Sequence, residues 1–453
     1  MVELARIPQA LREVIRPDAV KIDTRHRENG IQVLQHRHVF QQGADQHLFV
    51  RLPVVSRLVR DAGVVVGAAV AAEGDAAVRR YTALFDVDPP PPARVEADDL
   101  AHALAVLDPA VRAGLEVAIA NVAEVAWAAA DDDREVTLAQ GQRVLLREMP
   151  VARAAVYVPG GRAPYPSTVV MGAVTARAAG VADVAVVTPP PVDPVTLAAC
   201  ELIGIGEVHR IGGAQAIAAL AHGTESVAPV DVIVGPGNLY VQEAKRQLSG
   251  RVGIDGFAGP SDLLVLFDAP DPGSIRLIAH DLLAQAEHGE ASLVVAVAAE
   301  RALLDALEAD LRGLWAGQSA PFVLVHAGSL EHGLDFANTF APEHLELIGP
   351  GAEALAPLVR AAGCVFVGWP GATAFGDYVA GSNHILPTGG SARFASALGP
   401  RHFRRQMAEV RIEHTALAAL AHAGVPIARA EGFNAHAESM RARVADFVEN
   451  PSR

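Results

Sequence analysis

Along the chain, the alternation of apolar and polar positions changes character near residue 150. Residues 1–52 are polar, rich in Arg, Gln and His, and weakly periodic, which predicts an arm that is either helical or poorly ordered. From Leu52 apolar residues return at helical spacing, and Glu73 to Tyr81 reads as a helix ending before the Pro89–Pro92 run. A second helical stretch covers roughly 98–130 and closes at the acidic turn Asp131-Asp132-Asp133. Residues 135–150 carry the pattern of a hairpin around Gln140-Gly141.

Beyond it, short apolar runs alternate with helical segments. The runs Ala154–Tyr157, Val184–Val187, Val208–Ile211 and Val230–Val234 are separated by helical patterns, the signature of consecutive βαβ units. A second such alternation runs through Leu263–Leu266, Leu293–Ala296, Phe322–Val325, Leu345–Ile348 and Cys364–Val367. After Thr388 the rhythm stops, and Arg401 to Val448 looks helical with a break at Gly424-Val425-Pro426. The predicted fold class is α/β: two doubly wound, Rossmann-like parallel-sheet domains with a helical N-terminal region and a C-terminal helical tail. The predicted division is a 1–52 arm, an α/β domain from 53–150 with 262–390, an α/β domain over 151–261, and a 391–453 tail.

Composition narrows the class. A net formal charge of −15 lacks the clustered basic footprint of a duplex-binding protein, so no nucleic-acid partner is expected. Mean hydropathy is +0.25, yet the apolar runs are interrupted: Val169–Val187 contains Arg177 and Asp183. Neither it nor Ala62–Ala72 reaches the ~18–20 uncharged residues a span needs. Charges throughout Met1–Val20 leave no room for a signal-peptide core. Cys200 and Cys364 form no metal or redox spacing and suit a reducing compartment. The expectation is a cytoplasmic protein with no membrane partner. Only Lys21 and Lys245 of the 37 basic residues are lysine.

Candidate chemistry sits in the loops. Ligands of open α/β sheets bind outside the carboxyl ends of strands. There the first α/β domain offers Tyr157-Val158-Pro159-Gly160-Gly161, Gly212-Gly213-Ala214-Gln215 and Gly235-Pro236-Gly237-Asn238. Each brings glycines and a helix N-terminus to one edge, favouring a nucleotide phosphate, although neither G-x-G-x-x-G nor a P-loop is present. The second α/β domain carries the titratable groups. Gln285 and His288 lie three apart at a helix end, able to reach one ion. Glu343-His344 follows a helix-to-strand loop, Asp377 and His384 lie in glycine-flanked loops, and Glu431 and His436 lie in the tail. Taken singly, each is equally a surface or capping residue.

Taken together, these stretches resemble the histidinol dehydrogenase family. The resemblance rests on Tyr157–Ser167, Gly212–Leu220, Val234–Asn238, Gly253–Asp255 with Ala258–Ser261, Asp281–His288, Ala341–Leu347, Gly376-Asp377 with Gly381–His384, and Glu431–His436. It runs in family order from about residue 55 to 450, leaving residues 1–52 unmatched. At Asp262 the family usually has Glu, one methylene longer. The resemblance implies a homodimer that uses NAD and one zinc ion per subunit to oxidise L-histidinol to L-histidine through a bound aldehyde. It implies Gln285, His288, Asp377 and His436 as zinc ligands, with His436 from the partner subunit. Glu343 and His344 would be catalytic, His344 as general base and Glu343 activating water. Ser261 and Glu431 would join Gln285, His288, His344, Asp377 and His436 around the substrate, and Tyr157, Gln215 and Asn238 would contact NAD. Relatives on this scaffold that oxidise another small hydroxy compound, and a zinc hydrolase using the same donors, are the competing expectations.

Overall fold

The computed structural model describes residues 57–161, 163–268, 272–289, 291–315 and 320–449, and the backbone of strand β1 (Gln32–Gln35). The rest of the expected 1–52 arm lies outside the described residues.

Four helices come first: α1 (Arg57–Glu73), α2 (Asp75–Phe85), α3 (Ala97–Ala105) and α4 (Pro109–Ala128). Asp108 starts α4, its Oδ1 accepting from the N–H groups of Ala110 (2.8 Å) and Val111 (3.1 Å), with Pro109 preset for the first turn. The hairpin β2 (Arg134–Thr137) and β3 (Arg143–Pro150) follows and is antiparallel, as its pattern predicts.

The first parallel sheet comprises β4 (Arg153–Tyr157), β5 (Asp183–Thr188), β6 (Glu207–Arg210), β7 (Val232–Val234) and β8 (Gly253–Ile254), in the order β6-β5-β4-β7-β8. Between these strands run α5 (Pro166–Val169), a π turn (Val170–Val174), α6 (Thr175–Ala178), α7 (Pro194–Ile203), α8 (Gly213–His222) and α9 (Leu239–Leu248). Ala155, Tyr157, Ala185, Val187 and Ile233 face α8 and α9, together with Val66 and Val70 of α1 and Val78 and Tyr81 of α2. On the opposite face Val156 meets Gly172 of the π turn so closely that an added Cβ would lie 2.5 Å from it.

The second sheet is built from β9 (Asp262–Phe267), β10 (Leu293–Ala298), β11 (Phe322–His326), β12 (His344–Ile348) and β13 (Cys364–Val367). All five are mutually parallel, in the order β11-β10-β9-β12-β13, and β1 pairs antiparallel with β11. Its helices are α10 (Pro272–Ala286), α11 (Arg301–Leu314), α12 (Leu330–Phe340), α13 (Pro350–Glu353) and α14 (Thr373–Tyr378). Alternate strand residues serve opposite faces. Leu263, Val265 and Phe267 pack on α10 and α11, whereas Leu264, Leu266, Leu345 and Leu347 pack on α12 and the turn around Ala352. Burial on both faces explains why these strands read as continuous apolar runs.

The chain ends with β14 (Arg404–Arg411), α15 (His414–Ala430) and α16 (Asn434–Glu449). It folds as two compact units, Met1–Ala129 with Ala152–Phe403, and Ala130–Val151 with Arg404–Arg453. The second unit is the antiparallel sheet β14-β3-β2 and the α15–α16 hairpin.

Three sequence expectations are corrected. Helices α1–α4 do not extend the 262–390 domain. Their apolar faces close the first sheet, α1 on α8 and α9, α3 on α7, and α4 on α6 and the π turn. The hairpin expected within 53–150 joins β14, the eight-residue strand pairing along all of β3, and so belongs with the tail. The expected break at Gly424-Val425-Pro426 lies inside the continuous helix α15, and the turn comes at Glu431–Phe433.

Candidate active site

The site is organised where β9 and β12 begin, at the amino edge of the second sheet. His344 is the first residue of β12 and Asp262 the first of β9, and these strands are neighbours. Their main chains exchange bonds with each other's side chains. The Glu343 N–H donates to Asp262 Oδ1 (2.8 Å), and the Asp262 N–H donates to Glu343 Oε2 (3.1 Å). Ser261 Oγ donates to the same Glu343 oxygen (2.5 Å) and accepts from Gln285 Nε2 (2.6 Å) on α10. A relay from helix to serine to carboxylate results, with Gln285 2% and Glu343 6% exposed.

His344 is also buried. Its Nδ1 lies 3.2 Å from the Asp262 carbonyl, which makes Nδ1 the donor and leaves Nε2 as the free nitrogen of the neutral ring. Nε2 has no hydrogen-bond partner and lies 3.6 Å from Asp377 Oδ1 on α14. Burial opposes the charged ring, but Glu343 and Asp377 outweigh it and push His344 up to about 9. Burial raises the Glu343 carboxyl from its ordinary range, with His344 and the Ser261 hydroxyl opposing. Asp262 is pushed up to about 7 by burial and by the adjacent Glu343. Asp377 goes the other way. Burial would raise it, but His344, His384 and His288 together hold it below the usual carboxylate range.

The candidate metal donors Gln285, His288 and Asp377 therefore share one neighbourhood with His344. Gln285 Oε1 is buried and without a hydrogen-bond partner. His288 is exposed just beyond the end of α10. Glu431 and His436 lie in the other unit, both exposed, His436 with its ring 5.4 Å from that of Phe433. Among the described residues no group of three or more His, Cys, Asp or Glu forms a metal cluster.

The nucleotide candidates gather at the carboxyl edge of the first sheet. Chain order reverses between β4 and β7, and the loops after both strands meet there. Tyr157 ends β4 with its hydroxyl accepting from the Gly213 N–H (3.1 Å), and burial pushes it up to about 12. Gln215 is buried on α8 with Nε2 3.4 Å from Asp86 Oδ2. Asn238 caps α9, Oδ1 accepting from the N–H groups of Tyr240 (3.0 Å) and Val241 (3.1 Å).

Two participants, Asp86 and Glu346, were not singled out in the sequence, and a third, His384, was named there without a partner. Asp86, at the end of α2, reaches these loops only because α1–α4 pack on this sheet, and burial raises it to about 6. His384 donates through Nδ1 to the Asp377 carbonyl (2.9 Å) and faces Thr168 Oγ1 (3.4 Å) through Nε2. Glu346 is fully buried, Oε1 accepting from the N–H (2.8 Å) and hydroxyl (2.7 Å) of Thr373 at the start of α14. Its charge within the apolar run of β12 was the available signal.

Comparison with known proteins places these features in a family. A family model described as histidinol dehydrogenase matches residues 57–444. The histidinol dehydrogenase of Thermobifida fusca (strain YX) is 42% identical over 380 residues, covering 80% of this chain and 86% of that one. That of Aromatoleum aromaticum is 39% identical over 423 residues, covering 90% and 94%. The crystal structure of histidinol dehydrogenase from Elizabethkingia anophelis superposes with a TM-score of 0.81 at 28% identity, covering 91% of this chain and 95% of that one.

Proposed function

The chain belongs to the histidinol dehydrogenase family, and we propose that it oxidises L-histidinol to L-histidine through bound L-histidinaldehyde, with two hydride transfers to NAD⁺ at a zinc site. The observation that carries this reading is the convergence of Ser261, Gln285, Glu343, His344 and Asp377 at the start of β9 and β12. The donor set fits zinc: an orphaned amide oxygen on Gln285, a carboxylate on Asp377 and imidazoles on His288 and His436. Bound there, zinc supplies a Lewis acid without redox change of its own, while NAD⁺ accepts the hydrides.

His344 takes the alcohol proton on Nε2, the nitrogen left free by the bond from Nδ1 to Asp262. That role needs the neutral ring. Asp377, when its charge is engaged by a cation, no longer helps to hold a proton on His344. Glu343 takes a proton from water as it adds to the aldehyde, and the buried Ser261 bond fixes the orientation of its carboxylate. Two oxidations require two proton acceptors, and adjacent residues provide them. Glu431 pairs with the cationic amino group of the substrate. In this reading Glu431 and His436 complete the site across a homodimer, and Tyr157, Gln215 and Asn238 face the dinucleotide.

Replacing His344 with Ala is expected to lower turnover of L-histidinol by about 10²–10⁴-fold with zinc retained. Replacing His436 with Ala is expected to lose zinc, read by metal analysis after gel filtration. The opposite pattern would reverse these roles.

A further inference from the structure

Lys245, on α9, is one of only two lysines in a chain with 37 basic residues, and it is 1% exposed. Its ammonium donates to the Gly235 carbonyl (2.5 Å) and to Asp255 Oδ1 (2.7 Å). The other oxygen of Asp255 accepts from the Gly235 N–H (2.7 Å), and Oδ1 also accepts from the Gly256 N–H (3.0 Å). The pair thus holds both polar groups of a single residue, Gly235. That residue has φ +112°, and a Cβ on it would collide with the Tyr157 carbonyl oxygen at the end of β4. Gly235 is pinned between the ion pair on one side and the β4 main chain on the other, at the point where strand order reverses.

We propose that Lys245 and Asp255 are a positioning pair that presets the Gly235–Asn238 loop to receive the dinucleotide; this rests on the NAD⁺ reading above. Two observations distinguish it from a purely structural ion pair. An ion pair with side chains only 1% and 9% exposed is a poor source of stability, because desolvation offsets its attraction. Further along the loop, the main-chain N–H groups of Gly237 and Asn238 find no protein acceptor among the described residues, although they lead into the ten-residue helix α9. Holding Gly235 leaves those two donors oriented for an anionic group such as a pyrophosphate. Among the described residues, the other carboxylate pairs are made by arginine or histidine. Here a compact ammonium reaches two acceptors at a site 1% exposed, a geometry that the planar fork of arginine does not reproduce.

The test is calorimetric titration of the zinc-loaded enzyme with NAD⁺, which reads binding without turnover. Lys245→Met combined with Asp255→Asn removes both charges together and keeps an acceptor for the Gly235 N–H. Lys245→Arg keeps the charge and alters the geometry. Both variants are expected to raise the Kd for NAD⁺ at least tenfold with zinc content unchanged. Leu304→Ala, in the core of the other sheet, is expected to lower the melting temperature without changing that Kd. If either folded Lys245 variant binds NAD⁺ within twofold of the parent, or Leu304→Ala weakens binding equally, the proposal is overturned. A parent that binds no NAD⁺ would instead sink the dinucleotide reading itself.

Discussion

At Glu207 one carboxylate meets three nitrogen donors. Arg153 (2.5 Å), His209 Nε2 (2.9 Å) and Arg94 (3.6 Å) all approach Oε1. The bond from His209 is the strongest influence, and with Arg153 it overcomes partial burial to hold Glu207 at about 2. Because the folded value lies below the unfolded one, the stabilisation is complete above about pH 4.5 and is lost as pH falls towards 2. After discounting for solvent screening, Glu207→Gln should cost about 1–2 kcal/mol at pH 7. The urea midpoints of variant and parent should converge by about pH 2–3; a constant gap would show that charge is not the cause. Asp262 has the reverse sign. Burial and Glu343 raise it to about 7, so its charge weakens the fold progressively as pH rises from about 4 to about 7. Asp262→Asn should therefore raise the melting temperature at pH 8 more than at pH 5.

Among the elements, the helix after β4 departs most from its sequence pattern. Its apolar run predicts a plain helix to Gly180, whereas the structure has a π turn at Val170–Val174 between α5 and α6. Gly172 lets that turn press against Val156. Asn383, in the loop after α14, donates to the Met171 carbonyl (3.0 Å) and to Thr175 Oγ1 (3.1 Å), joining the two sheets of the larger unit. His384, the next residue, carries the contact to Asp377. Asn383→Ala should cost about 1–3 kcal/mol in urea unfolding by removing a donor from a buried carbonyl. No measurable loss would mean that water replaces it. β14 was illegible for a related reason. Arg404-Arg405-Gln406-Met407-Ala408-Glu409-Val410-Arg411 is largely exposed and shows no two-residue hydrophobic alternation, so only its partner β3 reveals it as a strand.

For the molecule as a whole, the fold class was legible because the central parallel strands are buried on both faces and bracketed by helices. Leu263–Leu266 and Val184–Val187 announce themselves without any partner. What was not legible was allegiance. Nothing in the apolar stripe of α1 states which sheet it covers, and Val66 and Val70 prove to belong to the core of the first. Val70→Ala should therefore destabilise by about 1–3 kcal/mol and weaken NAD⁺ binding before zinc binding; loss of zinc first would return these helices to the other sheet. The site was partly legible. Glu343, His344, Ser261, Gln285 and Asp377, each drawn from a motif, lie together, but the mutual capping of Asp262 and Glu343 arises only from β9 and β12 being neighbours. Among the described residues, no helix is long and apolar enough to cross a membrane.

That one site performs both oxidations is tested most directly by the stoichiometry of the zinc-loaded enzyme with limiting L-histidinol and excess NAD⁺. Two NADH are expected per L-histidinol consumed, with L-histidine as product. One NADH with release of the aldehyde, or none, would contradict it.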